Sequence, residues 1–145
     1  MRYMLMLKGN PDSESGKMPS AELIAEMGRF NEELIKAGVL LAGDGLTPSS
    51  MGARVMLSAH RRTVIDGPFA EAKELIAGYW MIQAKSKEEA IEWAKRAPNP
   101  AGDGDAVIEV RRLWDTEDFA PAVEGSAEGR AALEKEKEFR KTSST

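Results

Sequence analysis

Val64-Ile65-Asp66-Gly67-Pro68-Phe69-Ala70-Glu71-Ala72-Lys73-Glu74-Leu75-Ile76-Ala77-Gly78-Tyr79-Trp80 links the end of one β-branched segment to the start of an aromatic one. Between them lie an acid, a Gly-Pro turn, an aromatic and a short charged connection. Two strands joined in this way call for a sheet. Asp66 closes the first strand and Gly67-Pro68 turns the chain, with Pro68 a candidate for a cis bond. Leu75 to Ala84 is the second strand.

Upstream, Thr63-Val64-Ile65 returns from a polar turn at Ala59-His60-Arg61-Arg62, and Ala53 to Ser58 precedes it. The pair reads as a hairpin. Before it, Val39 to Leu46 begins as a strand whose Gly43 and Gly45 permit a bulge next to Asp44. Ser20 caps an amphipathic helix in which Leu23, Met27, Phe30 and Leu34 recur at helical spacing and Gly38 gives the stop. Gly9 to Met18, with Pro11, Asp12 and Gly16, reads as a mobile loop. Arg2 to Lys8 is a strand apolar on both faces, with Tyr3, Leu5 and Leu7 on one and Met4 and Met6 on the other.

Downstream, Ser86-Lys87-Glu88-Glu89 is a capping box for a helix that ends at Pro98. Asn99 to Asp105 is a loop. Ala106 to Leu113 alternates, with Ile108 and Val110 on one side and Glu109 and Arg111 on the other. Residues 114–145 shift to small and acidic composition and read as an arm or mobile tail after a domain at 1–113.

The order strand, helix, strand, hairpin, strand, helix, strand is the β-α-β-β-α-β ferredoxin-like α+β plan with an extra hairpin strand. Both helices cover one face of the sheet. The other face keeps methionines, Tyr79 or Trp80, Glu109 and Arg111. A half-apolar face of that size is uncommon on a monomer, so a homodimer, a dimeric α/β barrel, is expected.

The chain has 145 residues, 42% hydrophobic and 30% charged, with net charge −4 and no cysteine. That suits one soluble domain with a real core. It excludes a basic nucleic-acid footprint, disulfides and thiolate chemistry. No apolar run is long enough to span a membrane. The run Met1–Leu7 stops at Lys8-Gly9-Asn10-Pro11, too early for a signal peptide, so a cytoplasmic location is expected.

Asp66, at a strand end, has the chemistry of a general acid or base. An Asx-type turn, with the carboxylate accepting N–H groups around Gly67, explains the same residue. Lys73 and Glu74 can bind a polar ligand or pair on the surface. Asp44 between two glycines, which turn formation explains equally well, Tyr79, Glu109 and Arg111 complete the candidate binding residues, and an interface ion pair is the plainer reading of the last two. No ligand spacing for a metal and no cofactor motif is present. The residues leave enzyme and binding module both open.

The chain resembles YCII-related proteins of the DGPF subgroup. The resemblance is carried by Tyr3-Met4-Leu5, Gly45-Leu46 with Pro48, Asp66-Gly67-Pro68-Phe69 with Glu71, Lys73 and Glu74, Gly78-Tyr79, Glu89-Ala90 with Trp93-Ala94 and Pro98, and Glu109-Val110-Arg111. It implies a dimeric ferredoxin-like α/β barrel. It also implies activity through a His/Asp pair in a cleft, of which this chain offers Asp66, while its one histidine, His60, reads as a solvated residue of the hairpin turn. A regulatory setting, with an extracytoplasmic-function sigma factor as partner, is a further implication. The expected function is therefore a homodimer that binds a small polar metabolite in a cleft and uses Asp66 for acid/base chemistry. The alternative is a non-enzymatic accessory protein that binds a protein partner.

Overall fold

In the computed structural model, residues 1–143 are described, and they fall into two units: Arg2–Arg112, and the chain from Leu113 onward together with Met1. The first unit is built on strand β1 (Arg2–Lys8), whose Tyr3 and Leu5 are buried. β1 is flanked on one side by β5 (Ile76–Gln83) and on the other by β6 (Ile108–Arg112). β2 (Leu40–Gly45) pairs with the far edge of β5, so the order is β2-β5-β1-β6 with every neighbour antiparallel. This is the ferredoxin-like arrangement, two interleaved β-α-β units. The hairpin β3 (Ala53–Leu57) and β4 (Arg62–Asp66) forms a separate two-stranded ribbon inserted between β2 and β5.

Two helices cover one face of the sheet. In α2 (Ala21–Lys36), Ser20 Oγ accepts from Leu23 N at 3.1 Å, Phe30 and Leu34 are buried, and Gly38 takes φ +72° just past the end. The left-handed turn there costs glycine nothing. In α3 (Lys87–Lys95), Ser86 Oγ caps Glu89 N at 3.1 Å. The Glu89 carboxylate reaches one residue further back than a capping box requires and accepts from Lys85 N at 2.9 Å. The last turn tightens through Arg96 N to Trp93 O and Ala97 N to Ala94 O, so α3 stops short of Pro98. The core between sheet and helices contains Tyr3, Leu5, Phe30, Leu34, Trp80, Ile82, Ala84 and Ala90. Leu5, Leu34 and Ile82 are fully buried, each stabilising the fold by about 1.5–3 kcal/mol.

Two expectations are corrected within this unit. The segment after β1 holds a short helix, α1 (Pro11–Ser15), in place of the expected mobile loop. Asn10 Oδ1 accepts from Ser13 N at 2.8 Å, Ser13 Oγ accepts from Asn10 N at 3.0 Å, and Pro11 supplies a pre-set first turn. Gly16 then ends the helix at φ +80°. In β2 the bulge sits at Leu41 and the strand runs on through Gly43 and Gly45. Gly43 serves packing there, since a Cβ at that position would lie 3.1 Å from Trp80 Cδ1.

The second unit holds a 3-10 helix (Thr116–Val123) and α4 (Ala127–Ser143), where a mobile tail was one expectation. Ser126 Oγ accepts from Gly129 N at 2.9 Å to start α4, and Lys137 pairs with Glu117 at 3.4 Å. Glu117's own backbone N–H, then Lys137 and Thr116, hold its carboxyl below the usual carboxylate range. A carboxyl lowered on folding stabilises above its unfolded pKa and loses that contribution as pH falls through its folded value. Acidification through and below the ordinary carboxylate range is therefore expected to loosen Thr116–Val123 against α4. Amide exchange in Thr116–Val123, compared with Glu117→Gln across that range, checks this. The difference between the two proteins should vanish at the acid end.

Candidate functional site

The turn after β4 is braced from outside. Gly67-Pro68 is a cis peptide, and Gly67 N donates to Gly52 O at 3.0 Å. Ser49 stands directly behind the turn: its Oγ accepts from Phe69 N at 3.0 Å and donates to a Glu14 carboxylate oxygen, while its N donates to Glu14 Oε1 at 3.2 Å. The α1 helix, the 3-10 turn Ser49–Met51 and the Asp66–Phe69 turn are thereby tied together. Gly9 is buried against the same region, with Gly9 N donating to Leu75 O at 2.8 Å. Arg54 lies over the Phe69 ring, 3.8 Å from its centroid, a cation–π contact on the other flank. Glu71 then takes φ +61° before the 3-10 turn Ala72–Glu74. A non-glycine residue in the left-handed region costs about 1–3 kcal/mol and persists only where its surroundings impose it.

Within this frame the Asp66 side chain is exposed and takes no hydrogen-bond or ion-pair partner among the described residues. Gly67 N donates to Gly52 O, Pro68 has no N–H, and Phe69 N donates to Ser49 Oγ, so the Asx-type turn is not formed. Lys73 is likewise exposed and unpaired among the described residues. Glu74 presents its backbone carbonyl to Lys8 Nζ at 3.3 Å, with its own side chain outward.

The remaining candidates lie on the sheet face opposite the helices, paired in two sets. Asp44 and Tyr79 are cross-strand partners, with Tyr79 OH 3.5 Å from Asp44 Oδ2, long for an O–H···O bond. Arg111 pairs with Glu109 at 3.3 Å on β6. Cross-strand register sets these pairs in a row Asp44–Tyr79–Met6–Glu109 beside a row Ala42–Met81–Met4–Arg111. Among the described residues no hydrogen bond or ion pair joins either set to Asp66.

His60 belongs to the hairpin turn, beyond the pair Leu57–Arg62, whereas Asp66 pairs with Ala53 at the hairpin base. Arg62 to Asp66 alone spans four residues, about 13 Å of extended strand. The chain's single histidine and Asp66 therefore do not form a pair within one protomer.

Sequence reasoning missed Glu14, Ser49 and Arg54. Pro48-Ser49-Ser50 was legible as a turn, but no pattern ties Ser49 to a carboxylate 35 positions away.

Residues 1–117 match the model of the YCII-related domain. Among curated proteins, an uncharacterised protein of Rhizobium meliloti (strain 1021) is 31% identical over 97 residues, covering 67% of this chain and 77% of the relative. Among solved structures, 5-chloro-2-hydroxyhydroquinone dehydrochlorinase from Burkholderia phenoliruptrix AC1100, in complex with 2,5-dihydroxybenzoquinone, is similar. Its TM-score is 0.46 at 16% identity, with 81% of this chain and 98% of that chain covered.

Proposed function

This chain belongs to the YCII-related family, and on that premise we propose that it is a homodimer that binds a small polar metabolite at Asp66 and uses that carboxylate for acid/base chemistry. The observation that supports the reading is the contrast at the turn. Glu14, Ser49 and Arg54 fix the backbone around Asp66, Glu71 is held in a costly conformation beside it, and Asp66 itself takes no structural partner. A rigid frame around a carboxylate with no local task is what a proton-transferring group needs. The carboxylate would take a proton from a C–H or O–H of the ligand and return it in a later step. Lys73 would hold the anionic part of the ligand and offset charge as it develops. Arg111 suits that role less, because Glu109 already engages its guanidinium. The half-buried Met4, Met6, Tyr79 and Met81, in a sheet face not packed by α2 or α3, support the homodimer.

Asp66→Asn is expected to leave the unfolding free energy within about 0.5 kcal/mol of wild type, the range for surface changes that break no contact. A thermal-shift screen against a library of small polar metabolites is expected to give hits that Asp66→Asn and Lys73→Ala abolish. A stability loss above about 1 kcal/mol in Asp66→Asn would make the residue a turn anchor. Hits that both variants retain would move the site elsewhere.

A second reading, a non-enzymatic accessory protein, is favoured by the second unit, where Trp114 and Phe139 are both exposed. Binding of a protein such as a sigma factor that requires Trp114 and Phe139 and not Asp66 would select it.

A further inference from the structure

Strand β6 closes one side of the sheet. It pairs with β1, and among the described residues no strand pairs with its other edge. Lys8 N donates to Val107 O at 2.9 Å, so residues 107, 109 and 111 turn their N–H and C=O toward β1. The N–H and C=O of Ile108 and Val110 therefore point outward from the edge. The side chains of the same two residues face the helix layer, where they pack against the core. There they line a cavity of about 370 Å³ together with Ile91, Ala94 and Ala97. Lys95 lines it too, and its amine pairs with Glu92 at 2.9 Å in a contact open to water. None of these groups belongs to the Asp66 turn or to the opposite face of the sheet.

We propose that β6 accepts an extended peptide segment of another protein as a fifth strand, with one large aliphatic or aromatic side chain of that segment in the cavity and an acidic residue of it on Lys95. The edge calls for backbone hydrogen bonds and the cavity for an apolar side chain, and an extended polypeptide supplies both at once. Strand geometry joins the two features. A residue set opposite Ile108 or Val110 carries its side chain on the same face as theirs, over the cavity. Lys95 adds charge complementarity, because an exposed pair such as Lys95–Glu92 is worth little and gives way to an acid on the segment. Size points to a linear segment in place of a folded partner. The five residues of β6 extend about 17 Å, whereas a stable interface between folded proteins takes about 800 Å² from each.

A phage-displayed library of random decapeptides, selected on the immobilised full-length chain, tests this. The enriched sequences are expected to share a large apolar residue with an acid two positions from it. Synthesised and N-methylated one amide at a time, they are expected to weaken at least about tenfold at alternate positions and to change little in between, because every second amide of an added strand faces β6. Ala97→Leu, which fills part of the cavity, is expected to weaken the same peptides by about tenfold with an unchanged circular dichroism spectrum. Selection repeated on Lys95→Gln should lose the acidic preference and keep the apolar one. The N-methyl series needs no change in the protein, so it decides the matter even if Ala97→Leu unfolds. A selection that enriches no sequence would overturn the proposal. Binding indifferent to N-methylation at every position would overturn strand addition and leave a cavity that takes an apolar acid whatever its backbone. Equal competition by a blocked peptide of residues 107–112 of this chain would assign the edge to a second copy and overturn the foreign partner.

Discussion

Trp80→Ala is expected to lower the unfolding free energy by about 3–5 kcal/mol, the range for removing a buried aromatic. Trp80 makes three contacts, two with α2 and one with β2. Its ring meets Phe30 of α2 edge to face, with centroids 5.2 Å apart at 89°. Its Nε1 donates to Asn31 Oδ1 at 2.7 Å. Its Cδ1 would lie 3.1 Å from a Cβ added at Gly43 of β2, a tight approach. Alanine would lose the edge-to-face pair, strand Asn31 without its donor and open a void against β2. Trp80→Phe separates these terms: it keeps a ring for Phe30, loses the Asn31 bond, and is expected to cost about 1–2 kcal/mol. Urea denaturation followed by circular dichroism measures both, since Trp93 and Trp114 complicate a fluorescence readout. A whole domain is stable by only about 5–15 kcal/mol, so the alanine variant should be partly unfolded at modest urea. Equal losses for the two variants would mean that the hydrogen bond, and not the packing, fixes Trp80.

The sheet was legible from the length and order of its strands, although only β6 declared its core side, since β1 read as apolar on both faces and Tyr79 and Trp80 were not told apart. Tyr3 and Leu5, Trp80 and Ile82, and Ile108 and Val110 all point inward, each at two-residue spacing. The capped helices were legible because Ser20 and Ser86 immediately precede periodic apolar runs. Asn10-Pro11-Asp12-Ser13 carried an equally good start signal for α1. It was obscured because the helix has five residues, none buried, and so gives no periodicity to read. The candidate site was legible only in part. Asp66 stood out by its place at a strand end, and Asp44 and Tyr79 each stood out singly, although their pairing depends on the Leu41 bulge. What surrounds Asp66 comes from Glu14 and Ser49, brought in by tertiary packing, and local sequence holds no record of it.

Gly67→Ala is expected to cost about 3 kcal/mol or more, at the upper end for overpacking, because the obstruction is backbone. A Cβ on Gly67 would fall 1.8 Å from Ser49 O and 2.6 Å from Ser49 C. No rotamer change relieves that contact, and Ser49 cannot retreat without releasing Glu14 and Phe69 N. The Gly67 N–H to Gly52 O bond pulls the two segments together at the same place. Gly28→Ala is the matched control. Gly28 lies inside α2 with nothing within 4 Å of its added Cβ, so alanine there should stabilise by about 0.5–1 kcal/mol. Denaturation midpoints of the two variants should therefore move in opposite directions. Amide exchange at Phe69 separates a global effect from a local one. If Gly67→Ala keeps a native midpoint while the Phe69 N–H exchanges freely, the strut through Ser49 has given way and the core has not. Ligand hits that require Asp66 should then be lost from a protein that is still folded. If both the midpoint and Phe69 protection survive, the close approach of Ser49 to Gly67 is not needed, and the glycine in this turn must be explained by something other than the backbone behind it.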